Sequence, residues 1–135
     1  MAGLAGERNG TRVLVVEDHT MSRRALLKLL GHIGFDADGA GTVAEGREKL
    51  AAFKPEILIL DLMLPDGNGM EILREIRAQR LPVRVAVVSG ATEPMLGECT
   101  KIGPDALFGK PIEVSGFEAW LREQMSLVKK SRRIA

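Results

Sequence analysis

Val13–Val16 runs into Glu17 and Asp18, Ile57–Leu60 into Asp61, and Val83–Val88 into Ser89, while the weaker stretch Ala106–Phe108 is followed, after Gly109, by Lys110. Taken singly, an Asp behind an apolar run is ordinarily a helix cap or turn former. A single Ser or Lys at a loop start carries no message. Brought together, three carboxylates, a hydroxyl and an ammonium make a chemical set. Clustered carboxylates raise one another's pKa unless a cation neutralises them. Oxygen donors without thiol or imidazole suit a hard cation such as Mg²⁺. A lysine beside that cation supplies a second positive charge, which suits a phosphoryl group whose oxygens need neutralising during in-line transfer.

Whether these residues meet depends on the elements that carry them. The runs at 13–16, 57–60 and 83–88 are short and rich in Val and Ile, the pattern of strands buried on both faces of a parallel sheet. Phe35–Ala40 and Ala106–Phe108 are weaker strand candidates. Helical spacing falls between them. Met21, Ala25, Leu29 and Ile33 share one face, ending near Gly31 and Gly34. Thr42 can cap a second helix with Val43, Gly46, Leu50 and Phe53 on one side, stopped by Pro55. Asn68 can cap a third that turns Ile72, Leu73 and Ile76 inward, and Pro65-Asp66-Gly67 makes the tight turn before it. The weakest helix lies within 93–102, with Gly97 in its middle and Pro94 acceptable in its first turn. Val114, Phe117, Leu121, Gln124 and Val128 form the last stripe.

Strict βα alternation predicts an α/β fold with a five-stranded parallel sheet, right-handed crossovers and helices on both faces. In such a sheet the carboxyl ends of the strands share one edge, where ligands bind. All the polar residues named above then fall on one rim.

Composition narrows the classes. The 135 residues carry a formal charge of +1 and are 45% apolar, which excludes a disordered polyelectrolyte. Lys129, Lys130, Arg132 and Arg133 lie in a tail without acids, so the rest of the chain is net negative. So short a basic tail without aromatics reads as a solvated helix end, giving no case for direct nucleic-acid binding. Cys99 is the one cysteine, fitting a reducing compartment. No signal-peptide core or membrane-length apolar run is present, so the expected location is cytoplasmic. No G-x-G-x-x-G or Walker-type loop follows a strand, and Asp61-Leu62-Met63 lacks the second carboxylate of a phosphatase-type D-x-D.

The ordered set VLVVED at 13–18, LILDLMLPDGNG at 58–69, VVSGA at 87–91 and GKP at 109–111 resembles the receiver domain of two-component response regulators. The resemblance implies a doubly wound (βα)5 flavodoxin-like fold with strand order 2-1-3-4-5, forming a receiver over 12–128 with flexible termini at 1–11 and 129–135. It implies that Asp61 is the phosphoacceptor and that Asp18 and Asp61 bind Mg²⁺ (or Mn²⁺) directly. Met63 would add its backbone carbonyl, and Glu17 would act through a metal-bound water. Lys110 would pair with Asp61 and then with a phosphoryl oxygen, and Ser89 would donate to another. Lys110–Pro111 matches the family's cis-proline turn. Partners would be a sensor histidine kinase or a histidine phosphotransfer protein, then an unknown downstream protein. No membrane contact is implied, and the state is a monomer or a weak phosphorylation-dependent dimer. The expected activity is a switch, not enzymatic turnover, and the length leaves output to another molecule.

One position departs from the family pattern. The aromatic expected three residues before the lysine, which acts with Ser89 in switching, is replaced by Leu107. Phe108 comes one residue later, so alternation points it to the opposite face, into the core. A phosphorylation-independent interaction module is therefore one rival reading. A Mg²⁺-dependent phosphohydrolase with an aspartyl intermediate is another, to be told apart by turnover. His19 reads as the opening of the first helix, His32 as a residue near its end, and the helical methionines as core fillers.

Overall fold

Alternate residues of the central strands enter two separate cores, which is why each strand is apolar throughout. The computed structural model describes residues 10–134. Its elements are β1 (Arg12–Val16), α1 (Thr20–Ile33), β2 (Asp36–Ala40), α2 (Val43–Phe53), β3 (Ile57–Leu60), α3 (Met70–Ala78), β4 (Arg84–Ser89), α4 (Met95–Ile102), β5 (Ala106–Gly109) and α5 (Val114–Ile134). The five strands are parallel in the order β2-β1-β3-β4-β5. Leu14, Val16, Leu58, Leu60, Val85 and Val87 face α2, α3 and α4. Val13, Val15, Ile57, Ile59 and Val88 face α1 and α5, where Leu30, Phe117 and Leu121 complete the second core. Each fully buried aliphatic side chain contributes about 1.5–3 kcal/mol.

The edge strands explain the weaker signals. β2 pairs only with β1 and β5 only with β4, so both expose more of their length than the central strands do. Phe35 is buried but precedes β2, and Val83 precedes β4. Between β3 and α3 the chain adds a small antiparallel ribbon, Met63–Leu64 against Gly67–Asn68, with Pro65 and Asp66 at its turn.

Two helix expectations need correction. In α1 the buried stripe is Leu26, Leu29, Leu30 and Ile33, while Met21 is 69% exposed and Ala25 is exposed. Both lie near the start of α1, which follows the acidic loop at the carboxyl edge of the sheet. Val114 is likewise 56% exposed, because it opens α5 at that same edge. The C-terminal residues expected to be flexible continue α5 to Ile134, with Arg132 bonded to both oxygens of Glu56. At the other end Thr11 is buried and its carbonyl accepts from the Asp36 amide, so order begins before Arg12. Residues 1–9 of the expected N-terminal tail lie outside the described residues.

Candidate functional site

Backbone ladders carry the acidic residues to one rim. The Glu17 amide donates to the Ala40 carbonyl at 2.9 Å, and the Asp61 amide to the Val16 carbonyl at 3.0 Å. Both side chains are buried, while Asp18 beside them is exposed. One carboxylate oxygen from each of Glu17, Asp18 and Asp61 lies within 4.8 Å of the others. Lys110 arrives from the far side of the sheet, after β5, its own amide bonded to the Ser89 carbonyl at 3.2 Å. Its Nζ lies 2.9 Å from Asp61 Oδ2 and 2.6 Å from Glu17 Oε1. The peptide joining it to Pro111 is cis.

The electrostatics follow from this packing. Partial burial of the ammonium opposes its charge. Hydrogen bonds that it donates to Glu17 and Asp61, with their Coulomb attraction, outweigh that cost and hold Lys110 above its ordinary pKa. It is cationic throughout the physiological range. Asp61 Oδ1 accepts from the Met63 amide at 3.2 Å, and Glu17 Oε2 from the His19 amide at 3.0 Å. Three hard oxygen donors, two buried and one open to water, fit a small divalent cation such as Mg²⁺. The Met63 side chain is 56% exposed at the head of the ribbon.

The loop after Asp61 tolerates no bulk. A Cβ on Gly69 would fall 2.1 Å from the Asp61 carbonyl oxygen, so glycine is required by close approach of two backbones. The N-cap of α3 is Gly69 rather than the expected Asn68, which stands one residue earlier and accepts from the Met70 amide at 2.9 Å. Thr42 caps α2 through the Glu45 amide at 3.0 Å, as its spacing indicated. His19 occupies the N-cap of α1, with Nδ1 accepting from the Ser22 amide at 3.2 Å.

Ser89 and Leu107 sit differently from the acids. Ser89 is buried, and its hydroxyl accepts from the Ala91 amide at 3.2 Å. Leu107 is 42% exposed, whereas Phe108 packs edge-on against Phe117 at 5.2 Å between ring centres and against Trp120 at 6.2 Å. Cys99 is fully buried, and burial pushes its thiol up.

Three relationships escaped sequence reasoning. The Glu17–Lys110 ion pair joins residues 93 apart, beyond any local signal. Asp66 accepts from the amides of Val43 and Ala44 at 2.7 and 3.0 Å, so it caps α2 from another loop as well as making its own turn. Arg23 donates to the Glu17 carbonyl at 2.8 Å, and the sequence clue was the pair of glycines, 39 and 41, that leave it room.

The family model of the response regulator receiver domain matches residues 13–122. The chain belongs to this family. Receiver domains are signalling modules of two-component systems, and phosphorylation and Mg²⁺ binding are typical of them. This receiver domain is 38% identical over 117 residues to the KDP operon transcriptional regulatory protein KdpE of Escherichia coli, covering 83% of the chain and 50% of that protein. It therefore spans about half the length of that relative. The chemotaxis protein CheY of Thermotoga maritima is 30% identical over 108 residues, 78% of the chain and 90% of that protein. A CheY-like receiver domain from Methanospirillum hungatei superposes with a TM-score of 0.83, covering 91% of this chain and 99% of that one. Its 23% identity speaks for the fold alone.

Proposed function

We propose that this receiver domain accepts a phosphoryl group on Asp61 from the phosphohistidine of a sensor histidine kinase or histidine phosphotransfer protein. The observation that carries this reading is Lys110 Nζ bridging Asp61 and Glu17 beside a third carboxylate, Asp18. In the transfer, an Asp61 carboxylate oxygen attacks phosphorus and the phosphorus–nitrogen bond to the imidazole breaks. The products are an acyl phosphate and a free histidine. Glu17, Asp18 and Asp61, with the Met63 backbone carbonyl, would hold Mg²⁺, which neutralises charge on the transferring oxygens. Lys110 contacts a phosphoryl oxygen once its partner carboxylate is esterified. The Ser89 hydroxyl, released from the Ala91 amide, donates to another. A groove of about 420 Å³ between α1 and α5, lined by Leu26, Leu29, Ile112 and Phe117 with Glu17 and Lys110 at its edge, supplies an apolar seat for the donor protein beside the rim.

The phosphoryl group adds roughly −2 charge and strong acceptor oxygens at the rim, biasing the surrounding loops and changing affinity for a downstream protein. We place that exchange in the cytoplasm, and among the described residues no helix is long and apolar enough to cross a membrane. Exposure of Leu107 where the family pattern has an aromatic favours a second reading, an interaction module whose binding ignores phosphorylation.

Incubation with acetyl phosphate and Mg²⁺, followed by intact mass, tests the proposal. The expected result is a gain of one phosphoryl group that Asp61→Asn abolishes. No gain, together with no binding of beryllium fluoride, overturns it. Partner affinity that changes on phosphorylation separates the switch from the phosphorylation-independent module. Continuous release of phosphate with turnover would instead identify a phosphohydrolase.

A further inference from the structure

The loop that carries Glu17 and Asp18 is held from two sides by its backbone. From β2, the Ala40 carbonyl accepts the Glu17 amide at 2.9 Å. From α1, Arg23 Nη1 donates to the Glu17 carbonyl at 2.8 Å and reaches the Asp18 carbonyl at 3.5 Å. Arg23 thus holds both acids by their main chain and does not engage their carboxylates.

The carboxyl end of β2 is shaped around that side chain. A Cβ on Gly39 would lie 3.1 Å from Arg23 Cδ and 3.2 Å from its Cγ. A Cβ on Gly41 would lie 3.1 Å from Arg23 Nη1, the atom that makes both contacts. Neither glycine has a φ in the left-handed region, so backbone conformation does not account for them. The arginine fills the room at Gly41 and shares that at Gly39 with Leu27, whose Cδ1 would lie 3.1 Å from the added Cβ.

We propose that Arg23 is a positioning residue for the acidic pair, seated on Gly39 and Gly41, and that it sets the affinity of the rim for a divalent cation. This rests on the reading of Glu17, Asp18 and Asp61 as a cation site. Both contacts come from the one nitrogen Nη1, so lysine, a point charge on a differently shaped stem, is a partial substitute.

Charge and position make opposite predictions, which renders the role measurable. Removing a cation beside three carboxylates strengthens their hold on a divalent ion by simple Coulomb relief. Losing the grip on the loop weakens it, and partners that orient metal ligands are worth about tenfold or more in affinity.

The test is calorimetric titration of the full chain with Mg²⁺ alone, comparing wild type, Arg23→Gln, Arg23→Lys, Gly41→Ala and Asp18→Asn. Leu121→Val, a change in the core between the sheet and α5, controls for lost stability. Arg23→Gln is expected to weaken binding about tenfold. Arg23→Lys should fall between it and wild type. Gly41→Ala should weaken binding with every charged side chain intact, and Leu121→Val should leave affinity unchanged. Wild-type or tighter affinity in Arg23→Gln, while Asp18→Asn loses binding, overturns the positioning role and leaves the cation site standing. If wild type itself binds no Mg²⁺, the cation reading fails, and the role of Arg23 falls with it.

Discussion

Glu17 Oε1 lies 2.6 Å from the Nζ of Lys110, nearer than the 2.9 Å that separates the same ammonium from Asp61 Oδ2. The lysine therefore serves two acids at once. It offsets part of the rim's negative charge, which helps two buried carboxylates sit side by side.

Lys110→Ala separates the two duties. Without the ammonium, Mg²⁺ binds more tightly, because the carboxylates lose their internal counter-charge. Phosphorylation by acetyl phosphate slows by about a hundredfold, the usual cost of deleting one group that stabilises developing charge. Titration and intact-mass time courses on the same variant give both numbers. Loss of Mg²⁺ affinity would contradict the geometry.

Gly69→Ala tests the backbone beneath Asp61. The added methyl would collide with the Asp61 carbonyl at 2.1 Å, so the loop or α3 must move. Overpacking of this kind costs about 1–3 kcal/mol, read by urea denaturation, and the phosphorylation rate should drop with it. A wild-type denaturation midpoint would refute the close approach.

Asp66 gives a pH signature. Backbone hydrogen bonds from Val43 and Ala44 hold its carboxyl below the ordinary 3.8. A group with a depressed folded pKa contributes stability above its unfolded value and loses it as pH falls through the folded one. Asp66→Asn should therefore melt below wild type near neutral pH. The gap should close as pH falls beneath 3.8. Thermal melts across that range check it, and a gap independent of pH would count against the capping role.

Leu107 and Phe108 divide surface from core on one edge strand. Leu107→Tyr should change stability by less than about 0.5 kcal/mol, since the side chain is already largely in water. Phe108→Ala should cost about 2 kcal/mol or more through lost packing on Phe117 and Trp120. Paired denaturation curves decide. If the tyrosine variant also strengthens the coupling of phosphorylation to partner binding, Leu107 is a weakened switch position.

Much of this molecule is written locally. The Val- and Ile-rich runs, the residue that ends each run, and the alternation with helical spacing were enough to place Glu17, Asp18, Asp61, Ser89 and Lys110 near one sheet edge. Strand identity and strand ends depend on neighbours in the chain, and a parallel sheet aligns those ends whatever fills the loops. The same local logic put Phe108 inward and Leu107 outward, because side chains alternate along a strand.

Tertiary structure decided the rest. Periodicity put Met21 and Ala25 on the buried face of α1, but only the extent of the sheet determines where that face stops being covered. The basic tail looked unattached until α5 brought Arg132 to Glu56, which lies 76 residues away in sequence. Glu17 meeting Lys110, Asp66 capping a helix it does not belong to, and Arg23 settling over two glycines all depend on how crossovers stack one loop upon another. Types and spacing in the sequence determined which chemistry stands at the rim. Packing alone set which oxygen each cation touches, because those distances depend on pairs of residues that no local pattern connects.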